Sequence, residues 1–134
     1  MSHENVEIVR RAWGRFLASG EPPEHAMAPD FVWDMSTFRD MVGMQAQYEG
    51  AEGMRRFLRE WTESFDDWKI ELEELLDAGD QVVAICRQTA RAKASGLPVD
   101  MRLAMVFTVR EGLETRMEMY ADPDEALRAV RLER

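Results

Sequence analysis

Most of the groups from which small-molecule chemistry is usually assembled are scarce in this sequence. It has one cysteine, Cys86, in 134 residues, which excludes an internal disulfide. No histidine lies near Cys86 in sequence to activate the thiol, so it reads as a small buried hydrophobe rather than a nucleophile. The two histidines, His3 and His25, stand apart from each other and from any acid cluster; neither a metal site nor a catalytic triad is visible, and no metal is expected. No cofactor motif is present, so no cofactor is expected either. Basic charge is also short, with 17 Lys and Arg against 26 Asp and Glu and a formal net charge of -9, which argues against a nucleic-acid partner because phosphate binding needs a clustered basic face. No run approaches the ~20 apolar residues of a membrane span. The opening MSHENVEIVRRAW has no basic-then-apolar leader, so the expectation is a cytoplasmic protein with no membrane partner.

What is present is a core. An apolar fraction of 46% in a chain of this length points to one packed domain spanning residues 1–134. Its clearest pattern runs from Pro98 to Asp122. Val99, Met101, Leu103, Met105, Phe107 and Val109 alternate with Asp100, Arg102, Thr108 and Arg110, and Glu111-Gly112 supplies a turn. The return arm sets Leu113, Met117, Met119 and Ala121 against Glu114, Arg116, Glu118 and Tyr120. The odd-numbered face of this hairpin is therefore the wall of a core or of a pocket.

Upstream, Ser2 can cap a helix that carries Val6, Val9, Trp13, Phe16 and Leu17 at helical spacing and ends at Gly20. A short helix follows through about Ala28, stopped by Pro29, and then the strand Phe31-Val32-Trp33 with Asp34 directly after it. Residues 35–49 read as a loop unusually rich in apolar side chains, with Phe38, Met41, Met44 and Tyr48, which suits a segment that folds over something. A second helix from Ala51 to about Phe65 stripes Met54, Phe57, Leu58, Trp61 and Phe65. Trp68, Ile70 and Leu72 then alternate with charged residues, with a bulge expected at Glu73-Glu74, and Val82 to Lys93 forms the next strand. Asp122-Pro123-Asp124-Glu125 opens a closing helix. This order is α+β, a curved antiparallel sheet with the N-terminal helices packed over its concave face, and a cone-shaped cavity is its natural product.

The run Tyr48-Glu49-Gly50-Ala51-Glu52-Gly53-Met54-Arg55-Arg56-Phe57 resembles the "Y-x-G-x-E-G-hydrophobic-x-x-F" start of the third helix in SnoaL-like proteins of the nuclear transport factor 2-like superfamily. The opening helix, Phe31 to Asp34, and the ending Tyr120 to Leu127 are similar as well, so the resemblance covers essentially the whole chain. It implies one cone-shaped pocket and leaves the chemistry open, since isomerases, cyclases, epoxide hydrolases and binding modules share that fold. Compared with ketosteroid isomerase, Asp34 matches the general-base aspartate, while Trp13 and Met105 stand where the oxyanion donors would be. Compared with limonene epoxide hydrolase, Arg87 of Arg87-Gln88-Thr89 keeps the arginine of an Arg-x-Asp pair, and Met119 replaces the second acid. SnoaL-type cyclases also depend on an acid at that last-strand place.

The resemblance gives Arg87 the inward parity of Val83 and Ile85, and an inward guanidinium needs a partner. Asp34 and Arg87 are thus the candidate catalytic residues, expected to form a direct or water-bridged pair in the cavity. The expected ligand wall is Trp13 and Phe16 from the first helix, Phe38 from the loop, Phe57 and Trp61 from the second helix, and Ile85, Leu103, Met105, Met117 and Met119 from the strands. Three readings follow. One is a pocket protein for a small hydrophobic molecule without a complete known catalytic set. Another is an isomerase- or cyclase-like enzyme using Asp34 on a carbonyl-type substrate. The third is a scaffold that only dimerises. A homodimer is expected through the face carrying Val82, Ala84, Cys86, Ala104 and Val106, which is how members of the superfamily commonly pair.

Overall fold

The computed structural model describes residues 2–36 and 45–130. In chain order these form α1 (Ser2–Ser19), a 3₁₀ turn (Glu24–Ala26), β1 (Met27–Asp34), β2 (Gln47–Glu49), α2 (Gly50–Thr62), β3 (Phe65–Ala78), β4 (Gln81–Ala92), β5 (Pro98–Arg110), β6 (Leu113–Tyr120) and α3 (Pro123–Ala129). The strands make one six-stranded sheet in the order β2-β1-β6-β5-β4-β3. The α+β class is as expected, with one amendment: the sheet is mixed, because β1 and β6 run parallel. The chain leaves β1 through β2 and α2, builds the meander from the far edge at β3, and returns its last strand beside β1.

Local chemistry explains the boundaries. Gly20 ends α1 at φ 73°, its N–H donating to the Phe16 carbonyl at 2.7 Å. Pro29 does not stop a helix but lies within β1, where the register against β6 shifts between Met27 and Val32, an irregularity that tolerates proline. α2 ends at Thr62, so Phe65 opens β3 instead of continuing the helix. Glu111 and Gly112 both take positive φ, 51° and 79°, as a two-residue hairpin turn of type I′ requires. The Asp122 side chain accepts from the Asp124 N–H at 3.0 Å, and Pro123 occupies the first turn of α3. In the Tyr-x-Gly-x-Glu-Gly run, Gly50 has φ 65° and Gly53 leaves room for Tyr48. The buried Tyr48 hydroxyl then donates to Glu60 Oε1 at 2.6 Å and accepts from the Gln45 N–H at 3.0 Å, tying β2 to α2.

α1 and α2 cover one face of the sheet. Val9 and Trp13 of α1, with Met54, Phe57 and Trp61 of α2, share a core with Phe31, Trp33, Leu103, Met105, Phe107, Met117 and Met119. On β4 that face holds the even residues Val82, Ala84 and Cys86, opposite to the inward parity expected for Val83 and Ile85. The register is the reason: Val82 pairs with Phe107, Ala84 with Met105 and Cys86 with Leu103, so directly opposed residues of unlike parity share a face. Val83, Ile85, Ala104 and Val106 lie on the far face, where Ala126 and Leu127 of α3 pack over them. The face expected to join two copies is therefore not the one its residues suggested, and its apolar half is already covered. A pairing there would have to use the exposed, charged half with Arg87, Asp100, Arg102 and Glu73. The bulge at Glu73 is present, between Leu72 and Glu74.

Two glycines inside helices should respond oppositely to alanine. A Cβ at Gly14 meets nothing within 4 Å, so Gly14→Ala should stabilise by about 0.5–1 kcal/mol through helix propensity. At Gly53 a Cβ would approach the Tyr48 backbone at 3.0 Å, so Gly53→Ala should lower the melting temperature despite the better propensity. Thermal melts of the two variants check the contrast; a rise for Gly53→Ala would disprove the tight packing of α2 on β2.

Candidate functional site

Between α1, α2 and the inner sheet face lies a cavity of about 50 Å³. All four tryptophans of the chain line it: Trp13 from α1, Trp33 from β1, Trp61 from α2 and Trp68 from β3. Phe16, Phe31, Phe57, Met54, Met105 and Met119 fill most of the remaining wall. A water needs ~10–15 Å³ and a benzene-sized cavity is of order 150 Å³, so the void has space for a few waters and takes a ring only if side chains move. The three methionines are the flexible part of that wall.

Two polar side chains also line the void. Gln88, with no exposed surface, follows Val82, Ala84 and Cys86 on the inner face of β4. Its Oε1 accepts from both Trp61 Nε1 and Trp68 Nε1 at 2.5 Å, and its Nε2 has no partner. Trp13 Nε1 and Trp33 Nε1 are likewise buried without a partner among the described residues. Glu114 is the other polar side chain, 3% exposed, with no hydrogen bond or ion pair to its carboxyl from a described residue. Burial alone pushes its pKa up to about 8, so the carboxyl is largely protonated at neutral pH. The alternation of β6 had placed Glu114 outside. A bulge reverses it: Thr108 pairs with Arg116 but Val109 with Glu114, so Thr115 is the extra residue and Glu114 joins Met117 and Met119 on the inner face.

The structure does not bring Asp34 and Arg87 together, and neither lines the cavity. Arg87 is exposed on the far face, where Nε and Nη2 donate to Asp100 Oδ1 and Oδ2 at 2.9 and 2.6 Å. That carboxylate raises the Arg87 pKa. Asp34 is buried and pairs with Arg116, and its Oδ1 accepts from the Ser36 N–H at 2.8 Å. Three strand steps of ~4.8 Å separate β1 from β4, roughly 14 Å, too far for an ion pair across the sheet. Of the expected ligand wall, Trp13, Phe16, Phe57, Trp61, Met105 and Met119 line the cavity. Leu103 and Met117 are buried in the core around it, and Ile85 lies in the far-face cluster because of the parity of β4. Phe38, with Met41 and Met44 of the expected lid, is outside the described residues. Cys86 is buried, its thiol pushed up to about 12 by burial first and by Glu73 second. Among the described residues no group of His, Cys, Asp and Glu could hold a metal ion, and no helix is long and apolar enough to cross a membrane.

Glu114 makes stability depend on pH in a definite direction. Its folded pKa is raised, so the proton it holds stabilises the fold below the ordinary carboxyl range and this contribution is lost as pH rises through about 8. The decline approaches ~1.4 kcal/mol per pH unit. Glu114→Gln should flatten it and be the more stable protein at pH 8.5, where the parent has lost most of this contribution. Denaturant melts from pH 5 to 9 measure this, and identical profiles for the two proteins would mean that the carboxyl is solvated.

Residues 9–117 match the family model of the SnoaL-like domain. No functionally curated protein matches the sequence. Among solved structures, TerC co-crystallised with polyporic acid is similar with a TM-score of 0.74 and 21% identity, covering 96% of this chain and 98% of that one. A nuclear transport factor 2-like protein of unknown function from Burkholderia pseudomallei gives 0.75 and 20%, covering 95% and 97%. A hypothetical protein with a ketosteroid isomerase-like fold from Catenulispora acidiphila, in complex with trimethylamine, gives 0.68 and 18%, covering 95% and 94%. At these identities the likeness is one of fold. With the family match running from α1 into β6, this protein belongs to the SnoaL-like domain family, whose fold is of the polyketide cyclase or ketosteroid isomerase type.

Proposed function

We propose that the protein takes a small apolar molecule into the cavity and holds it by an oxygen atom. The observation that carries this reading is that three side chains lining one aromatic and methionine-rich void, Trp13, Trp33 and Gln88, each carry a buried N–H donor without a partner among the described residues. A buried donor left unpaired costs about 1–3 kcal/mol, so an acceptor brought in by a ligand relieves a standing destabilisation. Polyporic acid, the small organic molecule co-crystallised with TerC, supports an organic occupant for this fold. Met54, Met105 and Met119 provide the room by changing rotamer. Cyclohexanone tests the reading. In ¹H–¹⁵N spectra the indole signals of Trp13 and Trp33 should shift saturably on titration, and those of Trp61 and Trp68, already bonded to Gln88, should shift less. The absence of any saturable shift would refute it.

Glu114 favours a second reading, a proton-transfer enzyme. A lone carboxyl in an apolar cavity, with a pKa of about 8, is poised to exchange a proton near neutral pH. In this reading Glu114, and not Asp34, is the acid and base, and the indole and amide donors steady the oxygen on which negative charge develops. Hydrogen exchange at the α-carbons of cyclohexanone in D₂O should run faster with the protein than in buffer and level off above pH about 8. Glu114→Gln should return it to the buffer rate while the indole shifts persist. Exchange unaffected by that substitution would leave the binding reading alone.

A further inference from the structure

We infer that Gln88 selects the ligand, and that a two-indole lock on its amide commits it to recognising a hydrogen-bond acceptor. The inference rests on the reading of the cavity as a ligand site. A carboxamide carries an acceptor at one end and a two-hydrogen donor at the other, and a free side chain presents either by turning over. At Gln88 that choice is removed. Trp61 reaches Oε1 from α2 and Trp68 reaches it from β3, each at 2.5 Å. An indole N–H is a donor only, so a turned amide would break both bonds and set its NH₂ against two N–H groups. Nε2 is therefore held as the partnerless end, on a side chain with no exposed surface, at the wall of the void.

The lock is built from three separate elements, which makes it a property of the tertiary fold. Gln88 is opposite Ile70 on β3 and Met101 on β5, so its flanks are apolar and offer the amide no other partner along the strand direction. Trp61 is nearly fully buried, and its ring packs against Phe57 with centroids 5.5 Å apart, which keeps the N–H aimed. The other partnerless donors, Trp13 Nε1 and Trp33 Nε1, cannot accept either. A ketone, aldehyde or quinone oxygen satisfies Gln88. A hydrocarbon of the same shape leaves Nε2 unpaired, and an ammonium group opposes it.

The test uses cyclohexanone and its oxygen-free isostere methylenecyclohexane, titrated by NMR into the parent protein, Gln88→Met and Trp68→Phe. The parent should prefer the ketone by about tenfold, the worth of one neutral hydrogen bond that a buried donor would otherwise lack. The Gln88 NH₂ signals should shift with the ketone and not with the isostere. In Gln88→Met the preference should fall to about threefold or less, and in Trp68→Phe, which keeps the ring and removes one donor, it should fall partway. Should Gln88→Met fail to fold, the parent's NH₂ shifts and the Trp68→Phe preference still decide. Ketone binding with an unchanged preference in the variants, or with the Gln88 amide signals unmoved because water holds that position, would overturn the assignment of Gln88 and leave the ligand site standing. Binding of neither probe by the parent would overturn the site and this inference together.

Discussion

The contact between Phe57 and Trp33, ring centroids 4.6 Å apart, is the one on which the rest of the inner architecture depends. It fastens α2 to β1, and from Phe57 the aromatic run continues to Trp61 at 5.5 Å and to Tyr48 at 5.6 Å. Aromatic pairs of this kind add about 0.5–1.5 kcal/mol each to the burial of their area. The helix is then pinned near its C-terminal end, through the Tyr48 hydroxyl on Glu60 and through the Trp61 indole on Gln88. A helix held in this way is a fixed roof. The gap it leaves against α1 and the sheet is the cavity.

Charge is distributed in the same spirit. Two ion pairs of the sheet, Arg87 with Asp100 and Arg102 with Glu73, stand on the far face in water, where each contributes little. Among the described residues no cation lines the inner cavity, and burial keeps Glu114 largely protonated at neutral pH. The interior is consequently rich in hydrogen-bond donors: two indoles, an amide and a carboxylic acid, set among rings and thioethers.

Where the family resemblance places acids, this chain has Met105 and Met119, and the acid it does bring to the cavity comes from elsewhere on the same strand. Glu114 precedes Met119 by five residues, but with Thr115 bulged out the two lie opposite Val109 and Met105, four strand steps or roughly 13 Å apart. Glu114 therefore stands at another depth of the cavity than an acid at the Met119 place would. Asp34 is the last residue of β1 and serves the fold, receiving Arg116 and the Ser36 N–H.

The sequence alone determined the class and most of the elements, though not β2 or the start of β1. Helical spacing identified α1 and α2, the Glu111-Gly112 dipeptide located the hairpin turn, the Asp122-Pro123 step began α3, and the Glu73 bulge was visible as a break in alternation. These features are legible because each depends on neighbours within a few residues. The tertiary structure alone decided which way β4 faces and that Glu114 points inward. The parity of β4 follows from its register with β5, which the connection between Ala92 and Pro98 sets, and a shift of one residue exchanges the two faces completely. Glu114 turned inward through an extra residue at Thr115, in a strand whose alternation looks regular when read alone. The Gln88 lock needed three elements to meet, and no spacing within one of them announces it.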